Sequence, residues 1–355
     1  AYTEAFQAVV LILGSALVLF LGLDRIGGWS ELKAAAGSAH FNMWRPMSDP
    51  DFPWTGLLFG GTIVGIWYWC TDQYIVQRTL AAKNLSEGRR GAIFGGMLKI
   101  LPIFIFLVPG IIAHALASRG ELQLESSDQA FVVIMQELLP VGIRGMVAGG
   151  LLAALMSSLA SIFNSCSTLF TVDVYKRLYP ETPENKLVRV GRIATGFVVV
   201  LGIAWIPVMK NVSGVLYEYL QSVQSYIAPP ITAVFLLGIF SKRINKEGAM
   251  ATLVGGFFIG MARLVLEINK HTLTAGSFLH SFATINFLHF AIFMFVACVG
   301  LCIVVSLLTP APSEEKVRGL TFATITPEQR AANRASYNKW DVAASVFVVL
   351  CILGI

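Results

Sequence analysis

Residues 145–175 read GMVAGGLLAALMSSLASIFNSCSTLFTVDVY, with Asp173 as the one formal charge. A run this apolar exceeds the roughly 20 residues a helix needs to cross a bilayer. Inside it Ser157, Ser158, Ser161, Asn164, Ser165, Thr168 and Thr171 recur mostly three and four apart. That period gathers them on one face of a helix, whereas a barrel strand would alternate residue by residue. The stretch therefore predicts a membrane helix with a polar stripe. Such a stripe has two uses. Small hydroxyl residues let helices approach closely, and adjacent hydroxyls with freed backbone carbonyls supply the oxygen ligands that hard cations take.

The rest of the chain continues the pattern. Its 355 residues are 55% hydrophobic and 13% charged, against about 25% charged in a soluble domain. Mean hydropathy is +0.70. Apolar runs lie near 5–23, 54–71, 91–117, 143–172, 187–209, 214–240, 247–267, 284–308 and 340–355. The expected fold class is all-α, a polytopic membrane helical bundle forming a single transmembrane domain over 1–355, with about nine membrane segments.

Charge signs the loops. Arg78, Lys83, Arg89 and Arg90 follow the second run, Lys176, Arg177, Lys186, Arg189 and Arg192 the fourth, Lys242, Arg243 and Lys246 the sixth, and Lys316, Arg318, Arg330, Arg334 and Lys339 the eighth. The 118–142 loop instead holds Glu121, Glu125, Asp128 and Glu137 against Arg119, and Lys210 is the only charge between the fifth and sixth runs. Basic excess on alternate loops places residue 1 in the cytoplasm and the 24–53, 118–142 and 268–283 loops outside. In the 118–142 loop the apolar VVIM among acids fits a short surface helix.

The net charge of +5 is scattered through short loops, without the aromatic-interleaved basic stripe of a nucleic-acid binder. All five cysteines lie in apolar segments and read as small hydrophobes. The sequence holds no P-loop, no His pair at i, i+4 and no Gly-x-Ser-x-Gly, so enzymatic chemistry is not expected. The opening AYTEAFQ has no basic n-region, so the apolar run behind Glu4 is not read as a cleaved leader.

Function is sought where polarity is costly. In 214–240, GVLYEYLQSVQSYIAPPITAVFLLGIF, the polar Gln221, Ser222, Gln224 and Ser225 precede Pro229-Pro230. Proline removes a donor and clashes one turn back, which predicts a kink or unwinding just before it. Broken backbone at bilayer depth lines cavities. In 65–78, GIWYWCTDQYIVQR, Asp72, Gln73 and Gln77 continue past Trp67 and Trp69 as a candidate water-lined path. Lys99 lies about 14 Å along a helix from Arg90, near the membrane midplane, where a lysine is a functional candidate.

With these residues quoted, the chain resembles the sodium/solute symporter family, in its sodium/glucose cotransporter branch. The likeness is carried by WYWCTDQYIVQRTLAAKN (67–84), SSLASIFNSCSTLFTVDVYKR (157–177) and EYLQSVQSYIAPPITAVFLLGIFSKR (218–243). The resemblance implies a five-plus-five inverted-repeat transporter fold with additional helices. Within it this chain would be an N-terminally truncated piece that lacks the first four core helices and carries the second repeat. It further implies that Tyr68 closes the inner side of a sugar site, with Trp67 beside it. Lys99 and Gln221, with Gln224 nearby, would meet sugar hydroxyls. The carbonyl of Ala154 and the hydroxyls of Ser157 and Ser158 would hold sodium, supported by Glu4, where the family commonly has aspartate. The implied activity is sodium-coupled symport of a glucose- or galactose-like sugar across the plasma (inner) membrane by alternating access, with Na+ as the co-transported ion and the lipid bilayer as surroundings. The alternatives are symport of myo-inositol, a carboxylate or an amino acid, or a non-transporting sugar sensor or a channel.

Overall fold

A computed structural model of the chain describes residues 2–209 and 216–354. Residue 1, whose side of the membrane was assigned from charge, Lys210 and the end of the last apolar run at Ile355 lie outside the described residues. In chain order the α-helices are α1 (Tyr2–Ile26), α2 (Trp29–Ala36), α3 (Gly61–Cys70), α4 (Gln73–Leu80), α5 (Leu85–Leu98), α6 (Val108–Ser118), α7 (Ala130–Leu138), α8 (Val141–Thr168) and α9 (Lys176–Leu178). They continue with α10 (Glu184–Met209), α11 (Leu216–Phe240), α12 (Lys246–Ile268), α13 (Phe278–Thr284), α14 (Phe287–Leu308), α15 (Glu314–Val317), α16 (Pro327–Ala335) and α17 (Lys339–Leu353). Wider π turns precede α3 at Gly56–Gly60, precede α6 at Ile103–Leu107, and follow α8 at Leu169–Tyr175.

Among the described residues seven helical segments are long and apolar enough to cross a membrane: Thr3–Ile26, Leu85–Ser118, Val141–Leu178, Glu184–Pro207, Leu216–Phe240, Lys246–Ile268 and Phe287–Leu308. The other two expected runs behave differently. Gly56–Cys70 is a shorter apolar helix, and Lys339–Leu353 is joined to Pro327–Ala335 at a bend of 76°.

The chain forms two compact units. The first comprises Ala1–Met43, Ile93–Pro207 and Phe347–Ile355. Its core gathers Val18, Leu32, Ile112, Leu116, Ile134 and Leu139 from α1, α2, α6, α7 and the turn after α7, all shielded from solvent. The short helix expected at VVIM is α7, whose Ile134 and Met135 enter this core rather than lying on a surface. Helices α1 and α8 run antiparallel at close range. A Cβ at Gly14 would collide with Val147, and one at Gly150 would press on Val10 at 3.0 Å. Small residues at both crossings let two apolar helices touch along their length.

The second unit comprises Trp44–Ala92 and Val208–Val346. Tyr226, Leu264, Phe290, Met294 and Cys298 build its core among α11, α12 and α14. Gly256 and Gly260, one turn apart on α12, face α11 so closely that a Cβ at the first would strike Pro230 and at the second the Tyr226 carbonyl. On the side signed as cytoplasmic, Arg89 of α5 hydrogen-bonds Asn333 of α16 and lies over the Tyr337 ring, while Arg90 pairs with Asp341 at 3.1 Å.

This packing relocates the expected break. Helix α11 is continuous from Leu216 to Phe240 with Pro229 and Pro230 inside it, so Gln221 sits on regular helix and not on an unwound stretch. Both prolines are buried, and the glycine groove of α12 holds their backbone in place. The interruptions fall elsewhere. One is at Thr71–Asp72, between α3 and α4, where Asp72 turns extended (φ −71°, ψ 116°). The other is at Lys99–Ile100, just ahead of Pro102, whose ring disfavours the carbonyl one turn back.

Candidate functional site

The polar stripe of α8 divides along its length. At its upper end Ser157 Oγ donates to Glu4 Oε1 across 2.9 Å, joining α8 to the first turn of α1. The antiparallel register set by Gly14 and Gly150 brings these two residues together. Ala154 and Ser158 lie within a turn of Ser157, and all three are half-buried. Further along, Ser161 donates to the Ser157 carbonyl at 3.0 Å and Ser165 to the Ser161 carbonyl at 2.9 Å, so these hydroxyls turn back on their own helix. Ser167, which the spacing did not single out, donates to the Gly191 carbonyl of α10 at 2.8 Å, and Thr171 lies buried beside Gly191. Ser167 and Thr171 therefore serve packing against α10. The upper stripe offers a carboxylate, two adjacent serine hydroxyls and helix carbonyls, an all-oxygen set suited to a hard monovalent cation.

In the second unit α3 presents Trp67, Tyr68 and Trp69 in its last turn. The Tyr68 ring meets Trp69 edge-on at 5.2 Å, and the Trp67 ring lies 6.2 Å from it. The helix then ends abruptly. The N–H groups of Thr71 and Asp72 both reach the Trp67 carbonyl, at 3.0 and 3.1 Å, and the Thr71 hydroxyl adds a bond of 2.7 Å to it. Asp72 accepts from the Tyr74 amide at 3.1 Å and so caps α4. Its carboxylate is therefore a helix cap, and Gln77 Nε2 bonds the Tyr74 carbonyl at 3.3 Å. Asp72 thus stands at the break and Gln77 on α4 one turn beyond it.

Gln221 and Gln224 stand half-buried on α11. Gln221 Nε2 donates to the Tyr217 hydroxyl at 3.3 Å. Lys99 belongs to the first unit, exposed, at the turn that closes α5. The structure thus groups Trp67, Tyr68, Gln221 and Gln224 in one unit and Glu4, Ala154, Ser157, Ser158 and Lys99 in the other.

Sequence reasoning passed over one polar cluster. Arg263 on α12 is 2% exposed. It donates to the Phe282 and Ile285 carbonyls and lies 3.7 Å from Glu267, which accepts the Tyr226 hydroxyl. An arginine and a glutamate four apart in an apolar run were the available signal.

A model described as the sodium:solute symporter family matches residues 1–256. The chain belongs to that family. Among its curated relatives are the sodium/mannose cotransporter SLC5A10 of Bos taurus, 36% identical over 99% of this chain and 66% of that protein, and the sodium/glucose cotransporter 4 of Homo sapiens, 39% identical over 91% of this chain and 52% of that protein. The sodium/myo-inositol cotransporter 2 of Homo sapiens is 36% identical over 91% of this chain and 53% of that protein. The chain thus spans about half to two thirds of the length of these relatives. A solved structure described as the substrate-bound outward-open state of a Na+-coupled sialic acid symporter matches 88% of this chain and 63% of its own, with TM-score 0.64 and 23% identity. That likeness shows the fold. In this symporter family member the all-helical bundle is the inverted-repeat transporter class expected from the sequence, and the protein is a multi-pass membrane protein.

Proposed function

We propose that the protein to which this chain belongs carries out sodium-coupled uptake of a sugar by alternating access in the plasma membrane, with residue 1 on the cytoplasmic side. The chain acts as part of a single transporter domain. The observation that carries the proposal is the hydrogen bond from Ser157 to Glu4 between two apolar helices. An ionisable residue within an apolar run of a membrane bundle marks an ion pathway by default. Glu4, Ser157, Ser158 and the Ala154 carbonyl are the proposed sodium ligands and support. Sodium is the co-transported substrate here.

Trp67, Tyr68, Lys99, Gln221 and Gln224 are the proposed sugar-binding residues. A sugar presents many hydroxyls and two weakly apolar ring faces. The amides and the ammonium match the hydroxyls, and Tyr68 offers a flat wall. The relatives are described as cotransporters of mannose, glucose and myo-inositol, which favours a hydroxyl-rich solute. One sodium moving down 100 mV releases about 2.3 kcal/mol, enough for more than tenfold accumulation of a neutral solute.

The test is uptake of labelled glucose, mannose and myo-inositol by the full-length protein in vesicles, with sodium against choline outside. Sodium-dependent accumulation of a hexose supports the proposal. Accumulation of myo-inositol with no hexose competition, which the inositol-carrying relatives make the second reading, would replace the solute. Sodium-independent uptake would overturn the coupling.

A further inference from the structure

The guanidinium of Arg263 is a charge buried in the second unit, enclosed by groups of α12, α13 and α14. Its terminal nitrogens donate to the Phe282 and Ile285 carbonyls at the end of α13, the second bond being 2.8 Å. Its Nε is buried without a hydrogen-bond partner among the described residues. The Phe282 and Phe290 rings cover the group at 5.9 and 5.3 Å, a cation–π enclosure that offsets part of the lost hydration. Glu267 lies 3.7 Å away and accepts the hydroxyl of Tyr226, which is itself buried on α11. A buried arginine is retained only where its partners are fixed, because freeing it exposes an unpaired charge to an apolar interior.

Two routes lead from this group to the polar face of α11. The first is direct. At 3.6 residues per turn, Tyr226 points about 170° away from the midpoint of Gln221 and Gln224. Holding Tyr226 against Glu267 therefore aims both amides toward the opposite side. The second runs through the outer loop. The turn gripped by Arg263 ends at Asn286, whose side chain donates to the Pro50 and Asp51 carbonyls at 2.7 and 2.9 Å. The next residue, Phe52, lies 6.1 Å from the Tyr217 ring, and the Tyr217 hydroxyl accepts from Gln221.

We infer that Arg263 is a positioning residue for solute binding, locking α11 through Glu267 and Tyr226 in the rotation that presents Gln221 and Gln224. This rests on the proposed solute role of Gln221. The experiment compares Tyr226→Phe, Arg263→Lys, Gln221→Ala and the Tyr226→Phe/Gln221→Ala double variant in the full-length protein reconstituted in vesicles. Uptake of labelled glucose, mannose and myo-inositol is read as KM and Vmax, with the amount of protein inserted measured alongside. Tyr226→Phe deletes one hydroxyl and keeps the ring. Its KM for the transported solute rises about five- to tenfold at unchanged insertion, Arg263→Lys behaves alike, and the double variant falls short of the product of the single effects. A KM within twofold of the parent in Tyr226→Phe, with Vmax falling only as insertion falls, overturns the inference and leaves a structural role. Gln221→Ala with an unchanged KM overturns the solute-site reading instead, whatever Tyr226→Phe does.

Discussion

Thr232 donates its hydroxyl to the backbone carbonyl of Ile63 at 3.0 Å, and Thr232 is wholly buried. The bond ties α11, which carries Gln221 and Gln224, to α3, which carries Trp67 and Tyr68. It satisfies a hydroxyl in an apolar interior, where an unpaired one is costly. Replacement by valine keeps the shape and removes the donor. Thr232→Val lowers stability by about 0.5–1.5 kcal/mol, read as a lower unfolding midpoint of the purified protein in detergent. An unchanged midpoint would show that the bond adds nothing net.

Ser157→Ala removes a hydrogen bond to a charged acceptor, a class of interaction of about 1.5–3 kcal/mol. Under the proposed sodium role, the half-saturating sodium concentration rises about tenfold or more, and solute affinity at fixed sodium falls with it by linkage. Flux measured against sodium concentration checks this. Glu4→Gln keeps an oxygen for Ser157 but removes the charge, and its sodium dependence should shift in the same direction.

Gly260→Ala places a methyl against the Tyr226 backbone, where the separation is 2.8 Å to the carbonyl oxygen. Helix α11 must then move away from α12, at a cost of about 1–3 kcal/mol. Gly255→Ala, on the same helix but facing only the Leu301 side chain at 3.0 Å, should cost less. Equal destabilisation of the two in thermal unfolding would refute the groove as the cause.

The loop before α3 should be acid-sensitive. Asp49 accepts from the Phe52 and Asp51 amides at 2.8 and 3.0 Å and pairs with Arg45 at 3.3 Å. The Phe52 amide above all, then the Asp51 amide and Arg45, hold its carboxyl below the usual carboxylate range. A depressed folded value means the loop's support is complete above the ordinary aspartate pKa of about 3.9 and fades as pH falls through the lower folded value. Hydrogen exchange at the Phe52 amide should therefore accelerate at low pH beyond its intrinsic rate, and Asp49→Asn should abolish that excess.

The apolar runs were legible because bilayer thickness acts on local sequence. The same holds for the Ser157–Ser158 face, since helical period alone puts it on one side. Pro229-Pro230 misled for a physical reason. Proline's local penalty favours a break, but Gly256 and Gly260 let α12 clasp the backbone of α11 and keep it helical. Asp72 also had a second meaning: as a cap on α4 it marks the break that does occur. Arg263 went unread because its partners are carbonyls of residues 282 and 285, invisible to any motif.

By itself, then, the sequence settled that this chain is a set of membrane helices with a polar face on α8, because hydrophobic length and period are properties of neighbouring residues. Tertiary structure alone decided where those helices break, which serines meet Glu4 or Gly191, and what the buried arginine holds. Each of these depends on groups far apart in the chain, brought within hydrogen-bond distance only when small residues let the helices close on one another.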